Sequence, residues 1–157
     1  MKNNYADVEM AVAKLIASLT DIFKVGAVTR GDFAPMTLGF DRACVLVPGA
    51  FASERVGDAV KDTTWGISAD IFQRYASPEK AFADFNEMRS AVIDLIETHP
   101  SLHLDDVQVA GVYSTSVTGG DEPSFVTKEG TNVTTHIVQT LNIQVKQMIE
   151  YAGGEFA

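Results

Sequence analysis

His99 and His103 lie four residues apart, the helical spacing of a metal-binding pair, and Asp105 and Asp106 follow closely enough to add oxygen ligands. Pro100 falls between the two histidines and breaks the helix that would align them, so a solvated helix end is the better reading. His136 has no Ser or Cys nucleophile motif near it in sequence and reads as a surface histidine rather than a general base. Cys44 sits between Ala43 and Val45 in an apolar run and reads as a small buried hydrophobe, not a nucleophile. Gly49 and Gly57 lack the Gly-Lys-Ser/Thr ending of a phosphate loop. Asn132-Val133-Thr134 matches a glycosylation pattern, which has meaning only in a secreted chain. Asp121, Glu122 and Glu129 stand in a Gly-rich stretch where nothing fixes a carboxylate pair for acid–base work. Trp65 could be a ligand platform, but its strand-period neighbours point to a core position. From these residues no catalytic group, no metal and no cofactor is expected.

The elements that would position such groups are more strongly specified than the groups themselves. From Tyr5 to Phe23, Val8, Val12, Leu15, Ile16, Leu19, Ile22 and Phe23 recur at helical steps, predicting a helix with one buried face. Ala27 to Arg30 reads as a short strand and Ala43 to Val47 as a buried strand stopped by Pro48 and Gly49. Ala50 to Thr63 is polar and fits either an exposed loop or a hairpin arm. Trp65, Ile67, Ala69 and Ile71 then alternate with Gly66, Ser68 and Asp70, which predicts a strand ending near Tyr75. Ser77 is a good N-cap, Pro78 suits the first helical position, and Glu79 complements the helix dipole. A second helix follows, with Ala81, Phe82, Phe85, Met88, Val92, Leu95 and Ile96 at three-and-four spacing, ending near His99.

Two further strands are expected, one carrying Val107, Val109, Gly111 and Tyr113, the other running from about Asn132 to Met148 with Val133, Ile137, Leu141, Ile143 and Val145. Between them, residues 118–132 read as one long flexible loop, and residues 151–157 as a frayed tail. The expected fold is α+β: a mixed, mostly antiparallel sheet with two helices on one face and a long loop or hairpin arm. The expected core holds Leu15, Leu19, Trp65, Ile67, Ile71, Phe85, Val92 and Leu95.

The chain has 157 residues, enough for a single domain over 1–157, and it shows no internal repeat or linker. Its net charge of -9 disfavours nucleic acid and anionic lipid, since the 12 Lys and Arg are scattered singly. One cysteine excludes an internal disulfide. MKNNYADVEM has no apolar signal region, and no apolar run approaches the roughly 20 residues that span a bilayer. A soluble protein made in the cytoplasm is expected.

The strand WGISADIF followed closely by a helix, the run RSAVIDLIETHPSL, and the closing order of strand, Gly- and acid-rich loop and HIVQTLNIQV resemble the tail-terminator and tail-completion proteins of long-tailed bacteriophages. Arg89, Val92, Ile93, Asp94, Leu95, Pro100 and Leu102 carry the likeness in the second helix and after it. The resemblance in element order covers most of the chain but not Gly31 to Thr63. It implies a virion protein of the tail or neck, not an enzyme, assembled in the host cytoplasm. Such a protein caps the tail tube as a ring, with six copies implied, ends polymerisation, and offers a surface for head–tail joining. The implied partners are the chain itself, the tail-tube protein and a head–tail connector or stopper, with neither nucleic acid nor membrane. The interface is expected on the loop, at Gly119, Gly120, Asp121, Glu122, Phe125, Val126, Lys128 and Glu129. The alternatives are a head–tail stopper or minor tail protein and, in another class, a small α+β enzyme with a site assembled from distant residues.

Overall fold

The computed structural model describes residues 5–32, 39–103 and 109–150. Along the chain come helix α1 (Tyr5–Ala17), strands β1 (Val28–Arg30), β2 (Arg42–Gly57) and β3 (Val60–Arg74), helix α2 (Pro78–Glu97), and strands β4 (Val112–Gly120), β5 (Ser124–Thr127) and β6 (Thr134–Glu150). The strands form one six-stranded sheet in the order β1-β2-β3-β6-β4, with β5 also on β6. Among the described residues only β1 and β2 pair in parallel; every other pair is antiparallel. The fold is α+β.

Both helices cover one sheet face. Val8, Val12, Leu15 and Ile16 of α1 and Phe85, Met88, Val92 and Ile96 of α2 join Ile67 and Ile71 of β3 and Ile137, Leu141, Ile143 and Val145 of β6 in one core. This is the alternation of β3 and β6 meeting the three-and-four spacing of the helices. Leu19, Trp65 and Leu95 pack at the margin of that core and stay partly exposed. On the opposite face a smaller cluster forms around Ala43, Val45 and Phe72.

α1 is shorter than its apolar period, because Ser18 and Leu19 turn the chain, yet Phe23 beyond the turn still enters the core. Ser77 sits at the start of α2 in extended backbone, but its hydroxyl makes no capping hydrogen bond. The helix end is closed by Thr98, whose hydroxyl donates to the Asp94 carbonyl at 2.8 Å. Phe82, expected with the buried stripe, is 44% exposed.

Three strands differ from their expected form. β2 does not stop at Pro48 but continues to Gly57, turning at the hairpin into β3, so Ala50 to Thr63 is a hairpin arm. A bulge between Pro48 and Phe51 absorbs the proline. There a Cβ on Gly66 would lie 2.5 Å from the Ala50 carbonyl oxygen, so the close approach of the two backbones requires glycine. β4 begins at Val112 with the opposite phase from the expected one, Val112 pointing inward and Tyr113 outward; after the Val112/Ser114 bulge Thr115 points inward, back on the expected phase. Gly111, at φ +77°, turns the chain just before it, and a Cβ there would overlap the Met148 carbonyl oxygen at 2.0 Å. Val107 lies outside the described residues, as does the expected tail. Finally, residues 118–132 are not one loop. They hold the end of β4, strand β5 on β6, and a turn closed by Lys128 N–H to Val133 O at 2.8 Å. Val133 lies just outside β6 and is 59% exposed.

Candidate assembly surface

Among the described residues the sheet presents two open edges that overlap in height. Reading across the strands, Pro48 aligns with Ile67, Ile143 and Val117, and Ser53 aligns with Thr63, Gln147 and Val112. β1 covers β2 only from Cys44 to Leu46. Among the described residues no strand lies on the outer edge of β2 from Pro48 to Gly57, and every side chain of that stretch is exposed. It carries two large apolar residues, Phe51 at 68% and Val56 at 52% exposure. Phe51 packs on Trp65 with ring centroids 5.7 Å apart, and Trp65 on Tyr5 at 5.8 Å. Beneath them Trp65 Nε1 donates to Gln147 Oε1 at 2.9 Å, and Gln147 Nε2 donates to the Ala110 carbonyl at 2.9 Å. The arm is therefore rooted in the body of the subunit.

The other edge is β4, extended by β5 along the same side of β6. Val117 N–H on this edge donates to Glu97 Oε1 at 2.8 Å. The sequence-predicted interface residues all fall here. Gly119 and Gly120 end β4. Asp121 is fixed by its N–H to Thr140 O at 3.0 Å and by Gln139 Nε2 donating to its carbonyl at 2.7 Å. Phe125 and Val126 are in β5, with Val126 half-buried, while Glu122, Lys128 and Glu129 are exposed in the flanking turns. Phe125 is 50% exposed but anchored: it meets Tyr75 and Phe82 with centroids 6.0 and 6.1 Å apart, both nearly perpendicular.

No family model matches this chain, and no curated protein matches it. The candidates for chemistry are dispersed. His99 Nδ1 lies 2.8 Å from the Leu95 carbonyl, a helix-end contact, and His103 is exposed. Asp105 and Asp106 fall outside the described residues. Among the described residues no group of three or more His, Cys, Asp or Glu side chains could hold a metal ion. Cys44 is fully buried, and burial pushes its thiol up to about 12, with Asp70 adding to the shift; a thiolate is the reactive form, so this sulfur is inert in the fold. Burial and then the facing Arg74 hold the His136 imidazole below its usual range. Tyr113 Oη donates to both Asp62 carboxylate oxygens, at 2.8 and 2.9 Å, and that bond raises its pKa.

Distant residues do converge in a cleft of about 530 Å³ beside the N-terminus of α2. Arg42 is its centre, with Nε donating to Gln73 Oε1 at 3.0 Å and Nη2 to the Asp84 carbonyl at 3.1 Å and Glu87 Oε1 at 3.2 Å. These bonds tie α2 to the sheet. The lining sets Lys24, Arg42, Arg74 and Lys80 against Asp21, Asp41, Asp84 and Glu87, so the cleft selects no sign of ligand. Sequence reasoning missed Arg42, because nothing local marks a lone arginine whose partners lie 31 to 45 residues away. It also missed Phe51 and Val56, whose signal was present as two apolar residues in a polar stretch.

Proposed function

We propose that this chain is a structural subunit that closes the end of a long-tailed bacteriophage's tail tube as a ring and offers the joining surface for the head. The observation that carries this reading is the pair of open sheet edges flanking one rigid, helix-backed layer, one of them a ten-residue exposed arm bearing Phe51 and Val56. Exposed strand edges are liabilities that monomers cover or blunt, and they are suited to pairing with another chain. The order of β3, α2 and the closing strands β4 and β6 is also the order on which the resemblance rests, while the hairpin arm lies in the stretch that the resemblance does not cover.

A ring needs two different complementary patches on each subunit, and two opposite edges supply them. In this reading the Phe125, Phe82 and Tyr75 cluster is a contact surface for the tail tube or the head connector, since half-exposed aromatics are the usual anchors of protein interfaces. Native mass spectrometry combined with negative-stain imaging of the purified chain is the test. A closed ring of one copy number, which blocks further growth when added to polymerising tail tubes, is the expected result. A chain that stays monomeric at every concentration and leaves tube growth unchanged would sink the reading.

A further inference from the structure

We infer that neighbouring copies join edge to edge, the outer edge of β2 from Pro48 to Gly57 in one copy pairing antiparallel with the outer edge of β4 in the next. This rests on the ring reading above and assigns its seam.

The first ground is height and length. Pro48–Ser53 of β2 and Val112–Val117 of β4 flank the same four-strand band with six residues each, and β2 runs on to Gly57 beyond it. The second ground is polarity. β2, β3, β6 and β4 are each antiparallel to the next, so β2 and β4 run in opposite directions within one subunit. A second copy turned about an axis along the strands keeps its polarity, so its β4 meets β2 antiparallel and the alternation continues unbroken. The third ground is closure. Two different edges make a head-to-tail contact, which closes into a ring when the rotation divides a full turn. Both strands carry two register shifts, at Pro48/Phe51 and Arg55/Gly57 in β2 and at Val112/Ser114 and Val117/Gly119 in β4. Bulges add the local twist and bend that a closed sheet needs.

Pairing of β2 with β2 about a two-fold axis would satisfy one edge and stop at a dimer. On the β4 side, the Glu97 carboxylate occupies Val117 N–H in the lone subunit; pairing exchanges it for a main-chain carbonyl.

Cysteine cross-linking tests the seam. Ala52 aligns with Thr64, Lys146 and Ser114, three strand spacings away, or about 14 Å. A disulfide spans only about 4.4–6.8 Å between Cα atoms, so A52C cannot reach β4 of its own chain. Three double variants, A52C with S114C, S116C or T118C, scan the register on the helix-free face. Native Cys44 is buried and can stay. Under mild oxidation at least one double variant should give a covalent ladder up to the full ring, while each single variant stays uncross-linked. Dimers from A52C alone would establish two-fold pairing and overturn the seam. An intact ring by native mass with no ladder from any double variant would overturn the seam and leave the ring standing. A monomer at every concentration would overturn both.

Discussion

Replacing Gln147 should expose how the arm is held. Its side chain is fully buried, accepting from Trp65 Nε1 and donating to the Ala110 carbonyl, each at 2.9 Å. Gln147→Leu keeps the volume and removes both bonds. The Trp65 N–H is then orphaned in a partly buried setting, at about 1–3 kcal/mol, while Ala110 is exposed and water can serve its carbonyl. The expected loss is therefore about 1–3 kcal/mol. Gln147→Ala lacks three more carbons than Gln147→Leu and should add roughly 2.4 kcal/mol, at about 0.8 kcal/mol per buried carbon. Q147E keeps an acceptor for Trp65 but buries a charge. Burial raises the introduced carboxyl's pKa, so this variant is weakest at neutral pH and recovers as pH falls through that raised value, completely so by about pH 4. Urea unfolding followed by the fluorescence of Trp65, the single tryptophan, reads the first three variants. Trp65→Phe, followed by circular dichroism, completes a double-mutant cycle with Q147L, and the coupling should be about 1 kcal/mol. A Q147L loss under about 0.5 kcal/mol, or zero coupling, would refute the view that this relay roots the arm.

Met88→Ala, at a fully buried position, should cost about 2–5 kcal/mol, whereas Leu95→Ala, at the core margin, should cost less than about 2 kcal/mol; denaturant midpoints decide the order. Cys44 should resist thiol reagents in the native state and react only as fast as the sheet opens, so labelling with Ellman's reagent at rising urea should track global unfolding. Because folding lowers the pKa of His136, its neutral form is favoured, and its contribution to stability is present above about pH 6.5 and lost as pH falls toward the depressed value. His136→Asn should flatten that part of the stability–pH profile.

The helices and the central strands were legible because their burial is periodic and two-sided in its logic. Val92 and Phe85 stand at helical steps, Ile67 and Ile71 at strand steps, and each pattern meets the other in the core. The arm was half legible. Pro48 and Gly49 read as a stop, and on an edge strand exposed on both faces the alternation that marks a strand disappears. The start of β4 was read out of phase because the Gly111 turn shifts the count by one residue and the Val112/Ser114 bulge then shifts it back. β5 was missed because four residues held by β6 on one side leave little pattern, and Gly119, Gly120 and Pro123 around them signal a loop. At the site, the residues of the second edge were named from the sequence, but as a loop rather than as a strand. The first edge, with Phe51 and Val56, emerged only from the pairing.

β6 comes after every other described element in the chain, yet it pairs with β3, β4 and β5. During synthesis the hairpin of β2 and β3 can form early, because its partners are close in sequence. The helices then have only part of their platform, and Ile67 must wait for Ile143, 76 positions later. A nascent or truncated chain therefore exposes apolar core and a bare β3 edge, the state in which chains associate wrongly. The same order acts as a completeness check. The two outer edges come to the same height only when β6 is in place between β3 and β4, so a subunit cut short before Thr134 has no correctly placed pair of edges to offer a neighbour. If copies join along these edges, a chain needs β6 in place to do so.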